Sequence, residues 1–253
     1  SADEQIVSAL ISAIEAPDNQ DAYRKELLPY FDVDGSFQVM LFTCEGLDAM
    51  DTVERKKLSY RIQVYLEEIT HNASFFYYNS DFVLVANAVP EAFMQRLAEG
   101  TVRRAEKRMP GLSLYVGIGS LRMDISQMSV SYYRARAAAR IAMKEKCSVV
   151  QFDECGLNRL LYMTSDPDIL REMEEETLAV LEAYDEKHHA SYVETLECYL
   201  RHNGSIQAVA EEMYTHRNTV LYRIGNIKKL LNTSLETPEE RLPYQIAFYI
   251  RKM

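Results

Sequence analysis

Residues 205–231 read SIQAVAEEMYTHRNTVLYRIGNIKKLL, and their spacing decides how the C-terminal part of the chain folds. Ser205 can cap a helix by accepting an amide hydrogen bond. Ile206, Val209, Ala210 and Met213 then fall at i, i+3, i+4 and i+7, an apolar stripe about two turns long. A tight connection through Tyr214 leads to Thr215, a candidate cap for a second helix over 216–231. Short helix, tight turn and longer helix form the helix-turn-helix pattern. On the second helix, steps of about 100° per residue gather Val220, Ile224, Ile227 and Leu231 into one sector, the face that must be buried.

The opposite face carries Thr215, Asn218, Tyr222 and Lys229, with Thr219 and Asn226 beside it and Arg217 and Arg223 flanking the stripe. An Asn side chain can pair with an adenine edge, hydroxyls can bind phosphate or bases, and guanidinium groups reach phosphates. With Ser205 and His216 at the starts of the two helices, these are the candidate DNA-binding residues. Any surface helix also shows polar groups opposite an apolar stripe, so spacing alone leaves both DNA binding and an ordinary bundle helix open.

Upstream of this module, 169–184 and 189–201 read as helices, and no strand candidate occurs from Pro167 onward. Earlier, the chain changes character. After helical stretches at 2–15 and 21–30, the turn signal Asp32-Val33-Asp34-Gly35-Ser36 precedes an apolar run, Phe37 to Cys44, with strand character. A capped amphipathic helix follows from Asp51 or Thr52 to Thr70. Strands at 73–78 and 82–86 flank the polar tip Asn79-Ser80-Asp81. A helix opened by Pro90 and ended by Pro110-Gly111 leads to a strand at 112–118. The order is βαββαβ, the ferredoxin-like arrangement, in which an antiparallel sheet carries both helices on one face. An Ala-rich helix over 124–146 and a short strand at 148–152 complete this part. The fold class is therefore α+β: a ferredoxin-like domain followed by an all-α helix-turn-helix domain. The expected divisions are an N-terminal helical segment, 1–35, the α+β domain, 36–162, a helical connector, 163–190, and the helix-turn-helix domain, 191–253.

Composition is that of a globular protein: 47% hydrophobic residues exclude intrinsic disorder. No apolar run approaches the roughly 18 residues of a membrane span, and the acidic start at Ser1 to Gln5 is unlike a basic leader, so a cytoplasmic protein without membrane contact is expected. Ser1 in place of an initiator Met points to a piece of a longer chain. Cys44, Cys147, Cys155 and Cys198 lack CxxC pairing, and the histidines lack HExxH spacing, so neither a disulfide framework nor a metal site is expected. The net charge of −10 is uneven. From Arg201 onward eight Lys or Arg stand against five Glu, +3, leaving 20 basic and 33 acidic residues before it, −13. An acidic body with a mildly basic end argues against non-specific coating of nucleic acid and fits docking by one end.

Ala208-Val209-Ala210, His216-Arg217-Asn218-Thr219-Val220 and Tyr222-Arg223-Ile224 resemble the C-terminal helix-turn-helix of the PucR/CdaR family of bacterial transcriptional regulators. Tyr199-Leu200 and Asn203-Gly204-Ser205 before it, and Pro238-Glu239, Arg241-Leu242 and Gln245-Ile246-Ala247 after it, extend the resemblance over roughly 55 residues. Thr215, where an aliphatic residue is usual, and Pro243, expected to interrupt or kink the last helix, depart from it. Gly117-Ile118-Gly119, then Ser129, Tyr132 and Ala135, then Val149-Val150 and Leu157, resemble the GGDEF-like domain that precedes the helix-turn-helix in this family.

GGDEF domains proper are diguanylate cyclases whose Gly-Gly-acid-acid-Phe hairpin binds nucleotide and whose acidic residues hold two divalent metals. Here the hairpin is Tyr78-Asn79-Ser80-Asp81-Phe82, without either glycine, and Phe42-Thr43-Cys44 carries no Asp-x-Asp pair. The resemblance thus implies a regulator that is not an enzyme, with no catalytic residues, cofactor or metal, and a degenerate GGDEF-type domain for dimerisation or signal relay. Its partners would be double-stranded DNA, a second copy in a homodimer, and a small metabolite effector, such as a sugar diacid, acting through an N-terminal sensor outside this sequence. The alternative is a metabolite- or nucleotide-sensing module acting through protein contacts.

Overall fold

The computed structural model describes residues 2–66, 72–90, 92–164 and 167–253. The chain divides into two compact units, 1–163 and 164–253. The first runs α1 (Ala2–Glu15), α2 (Gln20–Leu27), β1 (Phe37–Thr43), α3 (Thr52–Tyr65), β2 (Ala73–Tyr78), β3 (Asp81–Asn87), α4 (Phe93–Arg108), β4 (Tyr115–Ile118), α5 (Met128–Glu145), β5 (Val149–Gln151) and α6 (Asn158–Tyr162). The expected end of the third helix, 67–70, lies outside the described residues, as does Glu91 at the start of the fourth. Among the described residues no helix is long and apolar enough to cross a membrane.

The sheet order is β2-β3-β1-β4-β5, with β1 antiparallel to both neighbours and only β5 added in parallel. The first four strands are the ferredoxin-like set. Expected helices α3 and α4 cover one face, packing on Met40, Phe42, Leu84 and Val116. The other face is covered too: α1, α2 and α5 pack on Phe37, Val39, Leu41, Val83 and Val85. Burial on both faces explains why β1 reads as a continuous apolar run rather than an alternation. Each such side chain contributes roughly 1.5–3 kcal/mol. Asn87 fastens the 1–35 stretch to the sheet: its Oδ1 accepts from Asp32 N at 2.7 Å, and its Nδ2 donates to Asp32 O at 2.9 Å and Ser36 O at 3.0 Å.

Two local features set the geometry of this unit. In the β2–β3 hairpin, Asn79 and Ser80 both have positive φ, 52° and 67°, as a two-residue mirror-image turn requires. Gly117 and Gly119 let α5 sit directly on β4. A Cβ at Gly117 would lie 2.1 Å from Ala139 N and 2.2 Å from Ala135 O, and one at Gly119 2.0 Å from Ser131 O. Ser131, Ala135 and Ala139 recur every fourth residue, the small face that matches those glycines.

The second unit comprises α7 (Pro167–His188), α8 (Tyr192–Arg201), α9 (Ile206–Glu212), α10 (Arg217–Leu230) and α11 (Pro238–Arg251), with no strand among the described residues. Leu178, Leu181, Leu196, Val209, Val220, Ile224, Ile227 and Ala247 meet in its core. The helix expected from 189 begins at Tyr192, because His189 takes a positive φ and Asp185 caps the new start through Tyr192 N at 2.8 Å and Val193 N at 2.9 Å. Pro243 does not interrupt α11. The helix is fixed on either side of it, by a Thr237–Glu240 capping box at its start and by Arg251 bound to Glu174 and Glu182 of α7 at its end.

Candidate nucleic-acid interface

The helix-turn-helix is built from its turn outward. Ser205 Oγ accepts from Ala208 N and opens α9. At the other end Thr215 N bonds Ala210 O at 3.0 Å and Tyr214 N bonds Glu211 O at 3.3 Å. This is a Schellman closure, with Tyr214 in the left-handed conformation at φ 47°. The cap of α10 is His216 rather than Thr215: its Nδ1 accepts from Asn218 N at 3.2 Å. An accepting Nδ1 places the ring proton of the neutral imidazole on Nε2.

Val220, Ile224 and Ile227 are buried, as the stripe requires, and Leu231 packs at the edge of the same core. His216, Arg217, Asn218, Thr219, Tyr222 and Lys229 are exposed together on α10, with Thr215 half-buried at its start. Ser205 stands apart from them, exposed at the start of α9 with its hydroxyl engaged as a cap. Arg217 and Lys229 make no ion pair among the described residues, whereas Lys228 faces Glu236 at 3.8 Å. Two residues of the expected set turn toward α8: Asn226 Nδ2 donates to Tyr192 Oη at 2.9 Å, and Arg223 reaches Thr195 Oγ1 at 3.4 Å. Both are half-buried. Tyr214, read from sequence as a connector only, is 97% exposed at the turn. An aromatic residue where a helix end favours Gly or Asn was the signal for it.

This module is matched, over residues 192–250, by the family described as the PucR C-terminal helix-turn-helix domain. Residues 17–141 match the GGDEF-like domain, so the two families account for more than half of the chain. The chain thus joins a GGDEF-like domain to the helix-turn-helix of PucR-type transcriptional regulators. Among its relatives in Bacillus subtilis (strain 168), the proline-responsive transcriptional activator PutR is 29% identical over 136 residues, 53% of this chain and 33% of that protein. The DNA-binding transcriptional activator AdeR is 24% identical over 170 residues, 63% of this chain and 39% of AdeR. The purine catabolism regulatory protein is 32% identical over 94 residues, 34% of this chain and 18% of that protein. The chain therefore spans well under half the length of these PucR-type relatives.

In the GGDEF-like domain, the β2–β3 hairpin, the end of β1 and α5 enclose a cavity of about 530 Å³ lined by Thr43, Asp48, Asn79, Asp81, Arg136 and Arg140. Asp81 is 7% exposed and lies 3.9 Å from the Arg136 guanidinium. Burial pushes its carboxyl up, against the hydrogen bond from Thr43 and the charges of Arg140 and Arg136. Asp81 is thus a buried carboxylate flanked by two guanidinium groups, and Glu45 and Asp48 line the same cavity.

Proposed function

We propose that this chain is the DNA-reading part of a PucR-type regulator, with α10 entering the major groove of a specific operator. In this reading Asn218, Thr219 and Tyr222 meet base edges, while Arg217, Lys229 and the His216 Nε2–H bind phosphates. Tyr214 packs beside the sugar-phosphate backbone at the turn, and Arg223 reaches phosphate past Thr195. Asn226 serves the reading face indirectly, by holding α10 on α8. One observation carries the proposal: His216 to Thr219 and Tyr222 project together from the N-terminal half of a helix whose other side is fixed in the core.

One helix-turn-helix contacts few base pairs, so a homodimer supplying two half-sites gives the needed specificity. The GGDEF-like domain has no cyclase activity in this reading and serves dimerisation or relay. A small metabolite effector acts on the whole protein through a sensor outside this sequence, consistent with the greater length of the relatives. Such a regulator works in the cytoplasm.

The test is selection of bound sequences from random duplex DNA at two salt concentrations, with Arg217→Ala/Asn218→Ala as control. A paired motif enriched by the natural chain and lost in the control is expected. Enrichment unaffected by the double substitution would sink the assignment of α10 as reader. Incubation with GTP and Mg²⁺ is expected to give no cyclic dinucleotide.

A further inference from the structure

The Cys198 thiol, the His202 imidazole and the Glu212 carboxylate converge between the end of α8 and the end of α9. One ligand atom from each lies within 4.8 Å of the other two. Cys198 and His202 are four residues apart, so one turn of helix stacks them on the same face. Glu212, the last residue of α9, closes the group: its Oε2 lies 2.5 Å from His202 Nε2, and its Oε1 accepts from Arg201 at 2.6 Å.

We infer that Cys198, His202 and Glu212 form a zinc-binding site that braces α8 against α9. Thiolate, imidazole and carboxylate are the donor types zinc accepts, and three protein ligands leave the fourth tetrahedral position to water. With bonds of about 2.3 Å to sulfur and about 2.0–2.2 Å to nitrogen and oxygen, tetrahedral donors stand roughly 3.3–3.8 Å apart. Glu212 is exposed and His202 half-buried, and rotation of these two side chains about the fixed Cys198 is what metal binding requires. Arg201 keeps Oε1 while Oε2 turns to the metal, the outer-shell hydrogen bond that orients a ligating carboxylate.

The thiol gives the site its character. An ion pair of His202 with Glu212 needs no sulfur, yet Cys198 is 1% exposed and lies against these ionisable groups. A cysteine thiol at neutral pH carries its proton until a metal displaces it. Zinc takes the place of that proton, which leaves to solvent, and sulfur, nitrogen and oxygen close around the ion.

Titration of the chelator-treated full chain with Co²⁺, followed by Zn²⁺, tests the inference by absorption. One equivalent of Co²⁺ is expected to produce a thiolate-to-metal charge-transfer band and tetrahedral visible bands, both bleached by Zn²⁺. Cys198→Ala is expected to abolish the charge-transfer band, and His202→Ala and Glu212→Gln to weaken Co²⁺ binding at least about tenfold. The absence of the band in the natural chain, or its persistence in Cys198→Ala through Cys44, Cys147 or Cys155, overturns the site. Should circular dichroism show Cys198→Ala unfolded, the His202→Ala variant decides: unchanged Co²⁺ affinity overturns the site and a tenfold loss upholds it.

Discussion

Tyr214 occupies a left-handed position where glycine is favoured, which costs a non-glycine residue roughly 1–2 kcal/mol. Tyr214→Gly is therefore expected to raise the stability of the second unit by about 1 kcal/mol in urea titrations while weakening operator binding. A variant that binds DNA as well as the natural chain would remove Tyr214 from the interface. Asn218→Ala is expected to cost about 1–3 kcal/mol of operator affinity and to relax preference at one base pair. Arg217→Ala should instead weaken binding to all sequences and lower the salt slope by about 1. Glu240 is held at about 2, from an ordinary 4.5, first by the Ser234 hydroxyl and then by the amides of Thr237 and Glu236. Its folded value lies below its unfolded one, so the stabilisation is complete above about pH 4.5 and disappears as pH falls toward 2. Thermal melts of Glu240→Gln should fall below those of the natural chain at pH 6 and converge with them near pH 2.

At the scale of elements, the helix-turn-helix was legible because its apolar residues keep helical spacing and its breaks fall at Asn203-Gly204 and Tyr214. Which residues on the outer side of α10 turn inward was not legible. Asn226 and Arg223 face α8 because Tyr192 and Thr195 stand there, and those partners are 34 and 28 residues away in sequence. Asn226→Ala is expected to cost roughly 0.5–1.5 kcal/mol of stability, with no further loss when added to Tyr192→Phe. Cys198 and His202 could be seen as a helical pair, but Glu212 joins them only through the packing of α9. Gly117 and Gly119 read as the mark of a strand end, whereas the fold uses them for backbone contact with α5. Gly117→Ala, with its Cβ about 2 Å from helix backbone, should destabilise the first unit by at least the roughly 1–3 kcal/mol of ordinary overpacking in a chemical denaturation curve.

Over the whole molecule, the βαββαβ order and the all-helical end were written in the periodicities, but the number of layers was not. A sheet with one face covered would alternate apolar and polar residues. Val39-Met40-Leu41-Phe42 does not, and the reason is the second cover of α1, α2 and α5. The charge division, −13 before Arg201 and +3 from Arg201 onward, means that a duplex meets attraction from only a short stretch of the chain. The seating of α5 on bare strand backbone has a mechanical side as well. A helix cushioned by long side chains can slide or roll by a rotamer change, but one meshed with Gly117 and Gly119 has no such slack. Helix and strand must travel as a single stiff lever, so a push on α5 is delivered undamped to β4 and, through its hydrogen bonds, to β1 at the centre of the sheet.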